Sequence, residues 1–332
     1  MTLKPLLLPS NQPADRFYEG GAAIAEFRGE AYSGGNVPED WVASTTCLFG
    51  ETNLGLTRLQ SGELLRDAIA ADPVAWLGEA HVARWGTDSM LLTKLLDAGQ
   101  RLPVHLHPND EFAARHLSRA HGKTEAWLVL RPGVVYLGFN TDLSLDSLGQ
   151  LVEGQETDTL LSSVHAISVE AGDGILVPAG MPHAIGEGIL LVEVQQPEDM
   201  SILLEWKGFA LDEDAPRELG LGWDLALQAA DLTNYSQSDV EQFVVRRPHK
   251  GQALPAMALP YFRAEWVTAQ DLKSGFAVLV ITEGQGALVW DGGSMTVAAG
   301  AVVLLPSSVR EPRLTGDLRA AWCRPPAPEA VA

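Results

Sequence analysis

Among the residues able to do chemistry, the histidines stand out. Eight occur, and two of them, His105 and His107, are one residue apart. On a strand, positions i and i+2 face the same way, so both imidazoles enter one space. Two neutral imidazoles converging in a core are costly unless they are hydrogen-bonded or bound to a metal. First-row divalent metals accept nitrogen donors at about 2.0–2.1 Å, so the pair reads as two metal ligands. His183 ends the run Val177-Pro178-Ala179-Gly180-Met181-Pro182-His183. Its Pro and Gly dictate a tight turn and set the histidine at the mouth of the next strand, as a third ligand. A carboxylate is expected to complete the set, and two compete. Glu111 follows Pro108-Asn109-Asp110, a helix-start signature that predicts a solvated first-turn acid. Glu125 opens the apolar run Ala126-Trp127-Leu128-Val129-Leu130, and a strand beside the histidine strand points it at the same ion. Glu125 is therefore preferred. Such a donor set suits zinc, and also iron, manganese or nickel.

Short strands must position these groups. From Leu102 onward, apolar runs of three to six residues alternate with Gly and Pro: Val134 to Phe139, Ala166 to Val169, Ile175 to Val177, Ile189 to Val194. The 32 Gly and 20 Pro favour this pattern over long helices. Strand-like runs resume at Phe243 to Val245, Phe276 to Ile281, Gly286 to Trp290 and Ala301 to Leu305. Earlier, Ala22 to Phe27 and Trp41 to Phe49 read as strands. Glu63 to Ala71 reads as a helix, and so does the stretch from about Asp88 to Ala98, where Leu91, Leu92, Leu95 and Leu96 make an apolar face and Gly99 a stop. Gly172-x5-Pro178 recurs as Gly300-x5-Pro306 with an apolar segment inside each, but only the first copy continues to a histidine. One element used twice predicts two related barrels, the first carrying the chemistry.

The same residues carry a resemblance. Gly172-x5-Pro178-x-Gly180-x2-His183 is similar to the second cupin motif, and His105-x-His107 with a later Glu to the first. The segments Leu91 to Ala113, His121 to Leu130 and Val177 to Ser201, with Glu39-Asp40-Trp41-Val42-Ala43-Ser44 before them, resemble type I mannose-6-phosphate isomerases of the short bacterial form. The likeness covers roughly residues 17–210 well and the remainder in outline. It implies a mainly β protein of two cupin-type barrels, or jelly rolls, with a few helices between and beside them. Residues 1–210 would form the catalytic cupin domain with a helical insertion at about 60–100, residues 211–240 a helical connector, and residues 241–325 a second, degenerate barrel without metal ligands. It implies a zinc-dependent aldose–ketose isomerase interconverting mannose 6-phosphate and fructose 6-phosphate. The zinc ligands would be His105, His107, Glu125 and His183, with Lys123 and Asp199 as active-site residues. The chain departs from the family at three places: His105 stands for a usual Gln, Pro103 for Ser, and Leu203 for an arginine. The last two favour a rival, an isomerase or epimerase of a non-phosphorylated or different sugar. A sugar-binding metal cupin without catalysis is the other alternative.

Composition narrows the partners. Lys and Arg number 23 against 43 Asp and Glu, a formal net charge of −20. That argues against nucleic acid and anionic membranes, which need a basic face. No stretch approaches the ~18 apolar residues of a membrane span. The three leucines near the start are too few for a secretion signal. Cys47 and Cys323 are far apart and outside any C-x-x-C pattern, so a thiolate zinc site is not expected. The expectation is a cytoplasmic monomer or homodimer that takes a small sugar or sugar phosphate. Lys94, Lys123 and Lys207 are the cations nearest the motifs for offsetting the charge of a phosphate.

Overall fold

Three antiparallel sheets arise from the apolar runs cut by Gly and Pro. The computed structural model describes residues 3–32, 34–212 and 215–329; residues 213 and 214 of the expected connector lie outside the described residues. The middle sheet has six strands, in the order Val244–Val245, Gly174–Val177, Glu125–Arg131, Leu190–Gln195, Leu92–Asp97, Glu39–Val42. Five strands cover one of its faces: Ile202–Leu203, His105–Leu106, His183–Ile185, Gly133–Phe139 and Val164–Val169. The third sheet has eight strands, drawn mostly from the C-terminal part of the chain and dominated by Ala277–Trp290 and Arg313–Arg324.

Alternation along the middle strands divides their side chains between two cores. In Glu125–Arg131, Ala126 and Leu128 face the core shared with the eight-stranded sheet, beside Val278, Leu304 and Trp266. Trp127 and Val129 face the core shared with the five-stranded sheet, beside Leu137, Ile167 and Ile185. Leu190–Gln195 does the same, with Val192 and Val194 pointing one way and Leu191 the other.

A strand buried on both faces shows no polar side, and this explains one correction. The expected helix from about Asp88 to Ala98 is instead the strand Leu92–Asp97. Leu91 and Leu95 serve one core and Leu96 the other. Apolar residues on both faces imitate the i, i+4 spacing of a helix stripe. The earlier part of the expected insertion is helical, as Leu65–Ala71, Pro73–Leu77 and Glu79–Trp85. Ala22–Arg28, expected as a strand, is a helix. Its first amides are met by a residue far along the chain: the Asp97 carboxylate accepts from Gly21 N and Ala23 N, both at 2.8 Å. Of the stretch from Trp41 to Phe49, only the start is strand, within Glu39–Val42. The two runs at 276–281 and 286–290 belong to one strand, Ala277–Trp290, with a register shift between Ile281 and Glu283.

The two Gly-x5-Pro segments take the same local form. Gly172 and Gly300 both have φ in the left-handed region, at 95° and 87°, where side-chain-bearing residues are strained. Each turn feeds a buried strand, Gly174–Val177 and Val302–Leu305. The helices Leu145–Gly154 and Thr157–Ser162, with the short Trp223–Ala226 turn, cover the outer face of the five-stranded sheet through Leu148, Val152, Leu160 and Ala226. Two short strands cross between the N-terminal and C-terminal parts of the chain. Leu6–Leu7 pairs with Leu304 and Val303 of the eight-stranded sheet, while Val244–Val245 pairs with Ile175 and Gly174 of the middle one. Among the described residues no helix is long and apolar enough to cross a membrane.

Candidate metal centre

His105 and His183 are direct cross-strand partners in the five-stranded sheet, so their side chains share a face. That face looks inward toward the middle sheet, because the intervening Leu106 packs on the outer side with Phe139 and Val164. His107, two residues on from His105, follows it inward. The three imidazole centroids are 4.1, 4.8 and 5.0 Å apart, and one ring nitrogen from each lies within 4.8 Å of the others. Glu125 enters from the opposite wall, at the first position of its strand. Its two oxygens lie 3.0 Å from His107 Nε2 and 3.4 Å from His183 Nε2. Two donor atoms, each about 2.0–2.1 Å from a tetrahedral zinc, are themselves about 3.4 Å apart, so these spacings match a coordination edge.

Backbone carbonyls set the tautomers. The Nδ1 of His105 faces Pro103 O at 2.8 Å, that of His107 faces Met200 O at 2.6 Å, and that of His183 faces Met181 O at 2.8 Å. A carbonyl oxygen only accepts, so each Nδ1 carries the proton and each Nε2 a lone pair. Burial then keeps all three rings neutral. It pushes His105 well below the ordinary histidine value, with His183 and His107 adding to the effect, and it lowers His183 as well. His107 is lowered to about 3 by burial and by the Lys123 ammonium. Burial raises the Glu125 carboxyl, but Lys123 and His107 outweigh it, and its net position is well below the usual carboxylate range.

Imidazole lone pairs therefore face a buried carboxylate, an arrangement only a cation relieves. His183 Nε2 has no hydrogen-bond partner. Lys123 supplies part of the missing charge, with Nζ 2.9 Å from Glu125 Oε2 and 3.1 Å from His107 Nε2. The donors fit a borderline metal such as zinc: neutral imidazoles held in the correct tautomer by backbone oxygens, plus a carboxylate oriented by the Trp127 indole N–H at 3.0 Å.

A second cluster of buried charges adjoins the first. Lys94, on Leu92–Asp97, lies 3.4 Å from Glu39, 3.3 Å from Glu193 and 3.6 Å from Asp199, and 4.5 Å from the centroid of the Trp41 ring. Glu39 also accepts from Tyr18 Oη at 2.7 Å, from Trp41 Nε1 at 2.6 Å and from Arg16 Nε at 3.2 Å. Burial lowers the Lys94 ammonium, but Glu39, Glu193 and Asp199 outweigh it and hold the charge in place. Glu193 is pushed up to about 6, by burial first and then by the Glu125 charge. Arg16, Lys94, Lys123, Glu125, Glu193 and Asp199 line one cavity with His105.

Lys94→Ala would leave three acids, all at most 11% exposed, without their shared cation. A loss of about 3–5 kcal/mol is expected. Glu193, already raised by burial, would lose the Lys94 charge that lowers it, so the deficit should shrink as pH falls and it protonates. Urea unfolding at pH 7.5 and pH 5 measures both, and an unchanged midpoint at pH 7.5 would show that the cation contributes nothing.

Each sequence-predicted ligand lies at this centre, and Lys123 and Asp199 line its mouth. Glu111 is exposed on the Asp110–His116 helix and paired with Arg115, as its helix-start context predicts. Lys207 is exposed and is not among the lining residues. Glu193, Arg16 and Tyr18 escape sequence reasoning. The signal for Glu193 was a lone acid inside the apolar run Leu190-Leu191-Val192-Glu193-Val194, which a buried strand tolerates only when the acid is paired or functional.

No protein-family model matches the chain. Mannose-6-phosphate isomerase ManA of Bacillus subtilis (strain 168) is 42% identical over 117 residues, 34% of this chain and 36% of that relative, so the match spans about a third of its length. Mannose-6-phosphate isomerase of Streptococcus mutans serotype c is 27% identical over 238 residues, 69% of this chain and 72% of that one. A zinc-bound mannose 6-phosphate isomerase structure superposes with a TM-score of 0.74 at 15% identity, covering 97% of this chain and 100% of that chain. Over part of its length the chain is similar in sequence to mannose-6-phosphate isomerases, and over nearly all of it the fold is similar to theirs.

Proposed function

We propose that the chain is a zinc-dependent aldose–ketose isomerase interconverting mannose 6-phosphate and fructose 6-phosphate. The carrying observation is the convergence of three Nε2 lone pairs and the Glu125 carboxylate beside a titratable acid, Glu193, in one cavity. His105, His107, Glu125 and His183 would hold the metal. Bound zinc supplies Lewis-acid polarisation of the sugar oxygens at C1 and C2. The chain's own groups do the rest. The Glu193 carboxylate takes the proton from C2 of the aldose and returns it to C1, while the hydroxyl proton on O2 passes to O1, so that the aldehyde becomes an alcohol and C2 a ketone. Its value near 6 suits a base working near neutrality. The Lys123 ammonium stabilises negative charge as it develops on the neighbouring sugar oxygen. Asp199, held by Phe49 N at 3.2 Å, orients a sugar hydroxyl at the mouth. Catalysis belongs to the N-terminal part, residues 1–210. Residues 211–240 connect it to residues 241–325, which act as scaffold. A cytoplasmic location fits a sugar-phosphate substrate.

The test is turnover of mannose 6-phosphate by zinc-loaded protein in D2O, read by deuterium entering C1 or C2 of the product. Free mannose is the comparison substrate. Faster turnover of the unphosphorylated sugar would favour the rival suggested by Leu203, which pairs directly with His105 and so shares its face without offering a charge. The pH profile has a definite sign. The base is active as the carboxylate, so kcat falls about tenfold per unit once the pH drops below the Glu193 value, about 6. A bound divalent cation favours the carboxylate and moves that limb to lower pH. An acid limb well above pH 7 would remove Glu193 from this role.

A further inference from the structure

The cavity around the metal centre is lined by three cations and four carboxylates: Arg16, Lys94 and Lys123 against Glu39, Glu125, Glu193 and Asp199. Two of the cations are already committed. Lys94 is within 3.6 Å of three carboxylates, and Lys123 is 2.9 Å from Glu125. Arg16 differs. Its Nε donates to Glu39 Oε1 at 3.2 Å and its guanidinium carbon lies 5.7 Å from the centroid of the Phe17 ring, which fix the side chain, but its two terminal amino groups make no hydrogen bond among the described residues. The side chain is 13% exposed, so those groups sit at the cavity rim in a partly desolvated place. Burial lowers the guanidinium, and Glu39 and Asp199 more than restore it, so it stays charged.

Around His105 the cavity has no such cation. Leu203, where the resemblance places an arginine, faces the same way as His105 and is apolar. Pro103, in place of a hydroxyl residue, also lines the cavity and offers no donor there. A dianionic phosphate entering a chain of net charge −20 needs a positioned cation, and a guanidinium fork is the side chain best matched to its oxygens.

We infer that Arg16 is the phosphate-binding residue of this site: held by Glu39 through Nε, it presents its free terminal amino groups to the substrate's phosphate, the role that Leu203 cannot fill. This rests on the proposed sugar-phosphate isomerisation. Arg16 comes from the segment before the Ala22–Arg28 helix, whose position is in turn fixed by the Asp97 cap.

The experiment uses the zinc-loaded full chain. Arg16→Gln should raise KM for mannose 6-phosphate by about 10–100-fold, with kcat changed much less and zinc content unchanged. Arg16→Lys, which keeps the charge and loses the fork, should fall between Gln and wild type. Inorganic phosphate serves as a probe independent of turnover: its binding to wild type, measured by calorimetry, should weaken by a similar factor in Arg16→Gln. If the wild type binds phosphate through Arg16 but does not isomerise the sugar phosphate, the isomerase reading fails while the assignment of Arg16 stands. Unchanged KM and unchanged phosphate affinity in a folded, zinc-loaded Arg16→Gln would overturn the assignment, as would a loss of kcat alone. Should both variants fold poorly, the wild type decides: inorganic phosphate should protect Arg16 from phenylglyoxal, read by peptide mass, and equal modification with and without phosphate refutes the role.

Discussion

A Glu125→Ala protein is expected to lose its zinc and its turnover together: bound metal drops from about one per chain to under a tenth, and kcat by at least ~10³-fold. The reason lies in the geometry. Glu125 is the candidate ligand contributed by the middle sheet, and its two oxygens span the gap between His107 and His183. Without it, three neutral imidazoles remain on one wall with no charge to balance a dication. The same variant makes a prediction about stability. Metal present at a thousandfold over its dissociation constant stabilises the folded chain by about 4 kcal/mol, so a chelator should lower the unfolding midpoint of the wild type and leave that of Glu125→Ala in place. Glu111→Ala, at an exposed helix start, is the matched control and should behave as wild type in both assays. Undiminished turnover by metal-stripped wild type would remove the metal from the mechanism altogether.

Replacing Glu193 by Gln tests a different step. The amide keeps the volume and removes the proton acceptor, so kcat should fall by ~10²–10⁴-fold while zinc stays bound. The acid limb of the pH profile should vanish with it, because the group that titrates near pH 6 is gone. Structural disturbance alone does not produce that pattern: it would move zinc content and the unfolding midpoint and leave the pH dependence of the residual activity intact. A variant within threefold of wild type would assign proton transfer elsewhere in the cavity, where Lys123 and Asp199 are among the other titratable groups.

The convergence of His105, His107, Glu125 and His183 was readable because its rules are local. Two histidines at i and i+2 share a face on any strand, and the Pro178 to Pro182 turn fixes where His183 emerges. Glu125 was distinguishable from Glu111 because one opens a strand and the other a helix. The second charge cluster was not readable to the same degree. Lys94, Glu193 and Asp199 belong to two segments about a hundred residues apart, and Glu39 and Arg16 come from further upstream still. They meet only because Leu92–Asp97 pairs with both Glu39–Val42 and Leu190–Gln195. That pairing depends on Leu92–Asp97 being a strand, and its double-sided burial hid this behind a helical spacing. The helix Ala22–Arg28 was hidden for a related reason, since its cap is supplied by Asp97 from another part of the fold.

The crossing of these two short strands has a consequence for how the polypeptide comes apart. Because Leu6–Leu7 is stitched to the sheet formed by the last hundred residues, and Val244–Val245 to the sheet that walls the metal centre, neither portion keeps its edges satisfied when the other melts. Heating should therefore dissolve both portions in one cooperative transition rather than two. A version shortened by its first eight residues should bare the edge at Val302–Leu305 and grow sticky there, far from any catalytic atom.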